Sequence, residues 1–133
     1  MAVVLDASAL VYAIRSQALT AAALRRRLIG ETSHAPHLID AETGNVLRRQ
    51  VLAGDLPPSD AKTLLNHAAT LVDRRYETSD ALRGAAWELR DISFYDGLYV
   101  SLARALELPL LTADAKLARA PKLRCAIELV VSA

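Results

Sequence analysis

The sequence predicts an α/β protein in which a short, mostly parallel central sheet is covered by helices. Short apolar runs, such as Ala2 to Leu5 (AVVL) and Pro109 to Leu111, alternate with longer segments whose apolar residues recur at helical spacing. Strands that alternate with helices in this way usually pair in parallel, and both faces of the sheet are then buried. The composition, 53% hydrophobic and only 5% aromatic, is typical of a helix-rich globular chain.

Each element is predicted from apolar periodicity and from the residues that start or stop it. Gly30 and Gly54 stop helices, and Pro57-Pro58 starts one. The predicted strands are Ala2 to Leu5, Pro109 to Thr112 and a closing strand, IELVV, within Leu123 to Val131, and short extended pieces are expected within Thr32 to Pro36 and Arg74 to Glu77. One predicted helix follows Asp6, and the others are Ala18 to Ile29, Leu38 to Ala53, Leu56 to Val72, Ser79 to Arg90, the segment after Ser93, and Ala115 to Ala120.

The same periodicity predicts which helical side chains face the core. Trp87 is expected in the core or at a subunit contact rather than as a platform for stacked bases. On the helix from Ala18 to Ile29 the predicted inward residues are Leu19, Ala22, Ala23 and Leu28. On the helix after Ser93 they are Tyr95, Leu98, Tyr99, Leu102 and Leu106.

The length of 133 residues predicts one domain, 1–133, because no Pro-, Gly- or Ser-rich stretch divides the chain. No apolar run approaches the ~18 residues of a membrane span, and the first residues lack the basic region of a secretory leader. We therefore expect a soluble protein located in the cytoplasm, with no membrane partner. The single cysteine, Cys125, excludes an internal disulfide.

The net charge of +1 conceals clusters of arginine. If the acids collect at one site, the remaining surface is basic, which suits a polyanionic substrate held by its phosphates. Solvated helix faces explain any one cluster equally well. The clusters are Arg25 to Arg27, Arg48-Arg49 and Arg74-Arg75.

Three aspartates stand where solubility does not explain them. Asp96 falls in the first turn of a helix, whereas Asp6 and Asp114 follow buried strands, where open α/β sheets bind their ligands. Each also has a structural alternative. Ser93 and Asp96 match a capping box, which taken alone favours a structural role for Asp96, and Asp6 and Asp114 can each cap the helix that follows.

Glu42 is a fourth acid without a surface explanation. It shares a helix face with Ile39 and Val46, where an unpaired carboxylate costs several kcal/mol. An ion pair with Arg48 or Arg49 is the structural alternative. We slightly favour the interpretation that Glu42 faces a cleft.

Parallel strands would bring the three aspartates to one edge of the sheet, and Glu42 can reach the same cleft from its helix. Four carboxylates repel each other, so their convergence makes sense only around a cation. All-oxygen ligation selects Mg²⁺ or Mn²⁺, alone or as a pair, which can activate water for displacement at a phosphodiester. The sequence has no nucleophilic triad and no Gly-rich phosphate loop that would indicate another chemistry. It therefore predicts metal-dependent hydrolysis of a nucleic-acid backbone.

The four segments that carry these acids resemble the motifs of PIN-domain ribonucleases, specifically VapC-type toxins of bacterial toxin–antitoxin pairs. They span nearly the whole chain in the family's order: VVLDASALV, IDAETGNVLRR, SFYDGLYVSLA and LLTADAKLA. The resemblance implies a PIN-like three-layer α/β/α sandwich and a Mg²⁺- or Mn²⁺-dependent endoribonuclease. The catalytic and metal-binding residues that it implies are Asp6, Glu42, Asp96 and Asp114.

The resemblance also implies a homodimer, inhibited by a small antitoxin whose tail lies across the active-site groove. Ser8 and Thr112 match hydroxyl positions that support the acidic site in the family. Some relatives carry a further acid after the fourth motif, where this sequence has Lys116, Leu117 and Ala118. The number of metal ions therefore stays open.

Two other functions are alternatives to an RNA-cleaving toxin. A receiver-like phosphoacceptor domain also gathers carboxylates around Mg²⁺, but it needs an acid pair after the first strand and a lysine after the last. Asp6 stands alone, and the closing segment IELVVSA contains no lysine. A catalytically silent PIN-fold binding module would lack one of the four acids, and none is missing. Metal-dependent cleavage of RNA separates all three possibilities.

Overall fold

A computed structural model describes residues 1–131 of the chain, and these residues build a five-stranded sheet of strand order β3-β2-β1-β4-β5. Every neighbouring pair of strands is parallel. The strands are β1 (Ala2–Leu5), β2 (Thr32–Pro36), β3 (Arg74–Tyr76), β4 (Leu110–Thr112) and β5 (Ile127–Leu129). The helices are α1 (Ala7–Arg15), α2 (Leu19–Gly30), α3 (Leu38–Leu52), α4 (Pro58–Thr70), α5 (Asp80–Glu88), α6 (Phe94–Leu106) and α7 (Ala115–Ala118).

The predicted α/β class with a short parallel sheet is confirmed. Strand β1 has the predicted bounds, β2 fills the segment that was predicted to contain an extended piece, and the helix ends differ from prediction by at most two residues. The closing strand is shorter than IELVV and covers only Ile127–Leu129, an edge strand that pairs with β4 alone. Among the described residues, no helix is long and apolar enough to cross a membrane.

The core explains why β1 and β4 lie at the centre of the sheet. Val3, Val4 and Leu5 of β1 are fully buried, as are Leu110 and Leu111 of β4. Side chains of successive strand residues point to opposite faces, so a continuous apolar run requires cover on both sides of the sheet. Helix α6 contacts β1, β2 and β4, and helix α1 contacts β4.

The register of the central strands determines where the polar residues at their ends lie. Val4 pairs with Leu110 and Leu5 with Leu111, so the two strands end side by side. The amide of Asp6 then donates to the carbonyl of Leu111 at 3.2 Å. The first residue beyond β1 therefore lies beside Thr112, the last residue of β4.

Two predicted helix faces are wrong in part. On α2 the buried residues are Ala21, Leu24 and Leu28, whereas Leu19 is 88% exposed and Ala23 is exposed too, because the buried stripe begins at Ala21, two residues later than predicted. Tyr95 on α6 is exposed as well, since α6 begins at Phe94 and its first turn extends beyond the core. The buried residues of α6 start at Gly97.

Trp87 is not in the core, contrary to one of the two places expected for it. It lies on α5 with two thirds of its surface exposed, and its ring meets that of Phe94 edge-on, with centroids 6.4 Å apart. The face of α5 that packs on the core is formed by its buried residues, Leu82 and Ala86, and Trp87 does not belong to it. The prediction of a subunit contact at Trp87 stays a prediction.

Helices α5 and α6 pack closely at Gly97, the residue after Asp96. A Cβ atom at Gly97 would lie 3.0 Å from the backbone oxygen of Ala86 and 3.3 Å from its Cβ. Atoms at such a distance would have to shift, so the absence of a side chain allows this close approach. The position of the first turn of α6 therefore depends on Gly97.

Candidate active site

One cleft at the carboxyl ends of β1 and β4 is lined by all four of the predicted acids. Two of them follow these strands directly or within two residues, and the other two project from α3 and α6. The structure therefore brings together acids that are up to 108 positions apart in the sequence. The residues lining the cleft are Asp6, Ala7, Ser8, Glu42, Asn45, Val46, Arg49, Asp96, Tyr99 and Asp114.

Asp6 is held by hydrogen bonds to both of its carboxylate oxygens. Its Oδ1 accepts from the amide of Ala9 at 2.8 Å and from the hydroxyl of Ser8 at 2.7 Å. Its Oδ2 accepts from the hydroxyl of Thr112 at 2.5 Å. Asp6 is thus the N-cap of α1, as its structural interpretation predicts, and it also lines the cleft, which leaves its functional role a prediction.

Ser8 and Thr112 extend this network to the end of β4. The Ser8 hydroxyl accepts from the amide of Ala113 at 2.9 Å, and the Thr112 hydroxyl accepts from the amide of Asp114 at 3.0 Å. The two hydroxyl oxygens lie 3.2 Å apart. Both predicted supporting residues therefore contact Asp6 and the loop that carries Asp114.

Burial dominates the electrostatics of Asp6. Loss of hydration raises its pKa from 3.8 to about 6, even though the bonds from Ser8, Thr112 and Ala9 favour the ionised form. Repulsion from Asp96 adds to the increase. At neutral pH the carboxylate is charged in a place that disfavours charge, and a nearby cation would relieve this penalty.

Glu42 is oriented by Tyr99, a residue whose role the sequence analysis missed. The hydroxyl of Tyr99 donates to Oε1 of Glu42 at 2.6 Å, and the tyrosine is 1% exposed. Burial raises the pKa of Glu42, the bond from Tyr99 opposes this increase, and repulsion from Asp96 adds to it. Tyr99 was assigned only to an apolar stripe, but its position three residues after Asp96 places both on one face of α6.

The alternative partners for Glu42 are not used. Within residues 1–131, neither Arg48 nor Arg49 forms an ion pair with it. The fully buried face of α3 is instead Ile39, Thr43 and Leu47, so Glu42 is half-buried at the border of that face. This border is where the helix meets the cleft.

Asp96 is electrostatically coupled to the other three acids. Burial raises its pKa, and repulsion from Asp114 raises it further. Asp96 in turn raises the pKa of Asp6 and of Glu42. The hydroxyl of Ser93 accepts from the amide of Asp96 at 3.1 Å, which is the capping half of the predicted capping box. The return bond, from the amide of Ser93 to the Asp96 carboxylate, is not formed within the described residues.

Asp114 caps α7, as one of its two interpretations predicts. Its Oδ1 accepts from the amides of Lys116 at 2.9 Å and Leu117 at 3.4 Å. It also lines the cleft and repels Asp96. A capping aspartate uses one oxygen for the helix, and its second oxygen can face a ligand.

The donor set suits a hard divalent cation, since it consists of carboxylate oxygens and no lysine lines the cleft. In the part of the chain that the structure describes, however, no three His, Cys, Asp or Glu side chains are grouped tightly enough to hold a metal ion as they stand. A cation at this cleft would therefore need side-chain rotation or bridging water. Mg²⁺ commonly keeps several of its waters in proteins, so the residues fit such an ion.

Besides Tyr99, the cleft is lined by Asn45 and Arg49, neither of which was predicted as a site residue from the sequence. The signal was their spacing, because they follow Glu42 by three and seven residues and thus share its side of α3. From the sequence, Arg49 was considered as a partner for Glu42 and as one member of a surface cluster of arginines. The structure instead places Arg49 on the wall of the cleft, where it forms no ion pair with Glu42.

Comparison with known proteins connects this geometry to a family. A model described as the PIN domain matches residues 3–123. The chain is 46% identical over 128 residues to Ribonuclease VapC1 of Mycobacterium tuberculosis, covering 96% of each chain. Ribonuclease VapC9 of the same organism is 35% identical over 129 residues, covering 96% of this chain and 98% of the relative.

Solved structures share the fold. VapBC2 from Rickettsia felis, bound to a DNA fragment from its promoter, matches with a TM-score of 0.71 at 19% identity and covers 97% of this chain and 98% of the other. At this identity the likeness supports the architecture alone.

Proposed function

Because the chain belongs to the PIN-domain family and to its VapC group, we propose that it is a metal-dependent endoribonuclease toxin controlled by a cognate antitoxin. The observation that carries the proposal is the convergence of Asp6, Glu42, Asp96 and Asp114 on one cleft. Curated relatives that cover nearly all of this chain are named ribonucleases. That family membership excludes the receiver-like alternative.

We assign the holding of one or two Mg²⁺ or Mn²⁺ ions to the four acids. Such an ion, when bound, activates a water and stabilises charge on the phosphodiester that is cut. Ser8 and Thr112 hold the Asp6 carboxylate in one orientation, and Tyr99 does the same for Glu42. Preorganised donors of this kind need not reorient during the reaction, which is the usual source of electrostatic catalysis.

The proposed partners are RNA as substrate, a second copy of the chain, and a small antitoxin, all in the cytoplasm. A similar solved structure supports the antitoxin, since VapBC-5 of Mycobacterium tuberculosis, which matches with a TM-score of 0.59 at 21% identity, is described as a member of the VapBC family of toxin-antitoxin systems. The cleft itself suggests how inhibition works. We expect the antitoxin to bind with an apolar helix and to place a basic side chain among the four acids, where it would offset their repulsion.

The decisive experiment begins with co-purification of the protein and the product of the neighbouring antitoxin gene. The freed protein is then incubated with total RNA in Mg²⁺, in Mn²⁺ and in chelator. We expect discrete internal cuts that require metal and that stop when the antitoxin is restored. Equal cleavage in chelator would refute the metal-dependent mechanism.

Antitoxin binding without any cleavage would favour the silent binding module. A complex that is inhibited while its acidic cleft stays empty would refute the proposed mode of inhibition. The arrangement of the four acids makes cleavage the expected result.

A further inference from the structure

A single cationic side chain lies among the residues that line the acidic cleft. Arg49 follows Glu42 by seven residues on α3, with Asn45 between them, so the three residues rise along one side of the helix. Seven residues correspond to about 10 Å of helix rise. The backbone of Arg49 therefore lies about 10 Å further along the helix than that of Glu42, and its side chain lines the same cleft without an ion pair to any of the four acids.

Arg49 does not have a structural task within residues 1–131. Other arginines of the chain do, because Arg27 pairs with Glu31 and Glu128, and Arg75 forms two bonds with Asp40. Arg49 forms no ion pair and no side-chain hydrogen bond with the described residues, and it is exposed. Its five donors are therefore available to a ligand.

An RNA strand that enters this cleft meets four negative carboxylates, and only bound metal and nearby cations can offset the repulsion. A guanidinium presents a planar fork of donors that matches two oxygens of a phosphate. From these observations we infer that Arg49 binds a phosphate of the RNA strand that flanks the phosphate to be cut. This inference rests on the proposed function and adds to it a residue that binds substrate without holding metal.

The neighbouring residue provides a matched control. Arg48 is also exposed on α3 and has no ion pair among the described residues, but it does not line the cleft. General attraction between a basic surface and RNA would make the two arginines equivalent. Contact with a phosphate in the cleft would distinguish them.

Binding is measured first, in an Asp6→Asn background that holds RNA without cutting it, with fluorescein-labelled single-stranded RNA and Mn²⁺. Arg49→Ala should raise the Kd about ten-fold or more, and Arg48→Ala less than about two-fold. The slope of log affinity against log salt should fall by about 0.7 for the loss of one phosphate contact on a single strand. Arg49→Lys should recover part of the affinity, because it retains the charge but not the fork.

Cleavage by the otherwise native chain gives the second readout. Arg49→Ala should raise KM and leave kcat within a few-fold, whereas Arg48→Ala should match the parent. Equal effects of the two substitutions on Kd would overturn the inference, as would a normal Kd in Arg49→Ala together with lost antitoxin binding, which would assign the arginine to the antitoxin.

The binding assay does not depend on catalysis, so the two proposals fail separately. If the parent binds RNA through Arg49 but never cuts it, the proposed enzymatic activity is wrong and the inference stands. If the parent cuts RNA while Arg49→Ala binds it normally, the inference is wrong and the proposed activity stands. Melting temperatures equal to that of the parent show that both variants are folded.

Discussion

The two sides of the acidic cleft are built differently. The strand corner is formed by Asp6, Ser8 and Thr112, and the helix corner by Glu42, Asp96 and Tyr99. In the strand corner the carboxylate is 4% exposed and accepts bonds from two hydroxyls and one amide. In the helix corner Asp96 is half-buried, and the bond that it makes with Ser93 runs from its backbone amide to the serine hydroxyl.

The difference indicates two ways of positioning a charge. A network of short bonds fixes Asp6 locally, whereas the place of Asp96 depends on how α6 packs against its neighbours. Repulsion among the acids acts on both corners, but only the strand corner has several donors that favour the ionised form. We therefore expect substitutions in the strand corner to act on chemistry and pH dependence, and those in the helix corner on metal binding and packing.

The largest expected effect is that of Asp6→Asn on RNA cleavage. The substitution removes a negative charge from Asp6, whose carboxylate accepts three hydrogen bonds, while the volume of the side chain is unchanged. Loss of residues that merely orient ligands commonly costs 10- to 100-fold in metal affinity or activity, so we expect a decrease of at least about 100-fold. Cleavage of a defined RNA in Mn²⁺ measures it, with circular dichroism to show an intact fold.

The matched control is Asp60→Asn, which neutralises an exposed acid in the first turn of α4, outside the cleft. It should cut RNA at the parental rate. If Asp6→Asn does so too, the assignment of the first acid to the site is wrong.

The second prediction concerns how the stability of the protein in chelator depends on pH. This dependence should report mainly on Asp6, the acid of the strand corner. Burial raises the pKa of Asp6 from 3.8 to about 6, so between these values the folded state binds more protons than the unfolded state. Stability should therefore decrease as pH rises from 4 to 6, by up to about 3 kcal/mol from this group at about 1.4 kcal/mol per pKa unit. Burial also raises the pKa of Glu42 and Asp96, which adds to the decrease with the same sign.

Urea unfolding of the parent and of Asp6→Asn from pH 4 to pH 7 measures this contribution. The variant should be the more stable protein at pH 7, and the difference should shrink towards pH 4. If the stabilities of the two proteins depend on pH in the same way, burial does not raise the pKa of Asp6.

Asp96→Asn tests the helix corner, because its structural and functional interpretations predict different outcomes. A cation at 100 times its Kd stabilises the native state by about 2.7 kcal/mol, so the parent should melt at a higher temperature in Mn²⁺. The variant should gain much less from metal. In chelator it should be as stable as the parent or more so, because one of the repelling charges is gone.

A helix cap predicts another result. If Asp96 acts only through the N-terminus of α6, the substitution should cost a few tenths to about 1 kcal/mol, equally with and without metal. Thermal melts of both proteins in chelator and in millimolar Mn²⁺ distinguish the two roles. If Asp96→Asn is less stable than the parent in chelator but gains as much melting temperature from Mn²⁺ as the parent does, Asp96 acts only as part of the helix cap.

The strand corner was also the more predictable of the two. Asp6 and Asp114 were recognised because short apolar strands end abruptly, and parallel pairing brings such ends together. The sheet and its α/β class follow from the same periodicity. The bond between Tyr99 and Glu42 joins residues 57 positions apart, and it depends on how α3 and α6 lie across the cleft, which no local pattern encodes.

The exposed Tyr95 was the other failure of prediction, and Trp87 lies outside the core, which was one of the two places expected for it. Trp87 and Tyr95 carry large apolar surfaces, and periodicity alone assigned the tyrosine to the core. Whether such a residue is buried depends on what already fills the space beneath it. Here α5 and α6 approach closely at Gly97 and Ala86, and the space between them is filled by these small residues, whereas Trp87 and Tyr95 are exposed.

The smallest expected effects come from substitution of two glycines, Gly97 directly after Asp96 and Gly44 two residues after Glu42. They test whether the position of the acids in the helix corner depends on how the helices pack. At Gly97 a Cβ would press on the backbone of Ala86, so Gly97→Ala should destabilise the protein by about 1 to 3 kcal/mol, as overpacking usually does. At Gly44, two residues after Glu42, the nearest atom to a new Cβ is Leu65 Cδ1 at 3.9 Å, an ordinary contact. Gly44→Ala should therefore stabilise the protein by about 0.5 to 1 kcal/mol, because alanine favours the helix.

Urea unfolding measures both glycine variants, and a Mn²⁺ titration followed by thermal melting reports on the site. Gly97→Ala should need more Mn²⁺ for the same increase in melting temperature, because the shift of α6 moves Asp96 relative to the other acids. Gly44→Ala, the control with the same chemical change, should bind Mn²⁺ as the parent does. If Gly97→Ala loses stability but keeps the parental response to Mn²⁺, the close approach of α5 and α6 serves the fold alone, and the position of Asp96 is fixed by something other than that contact.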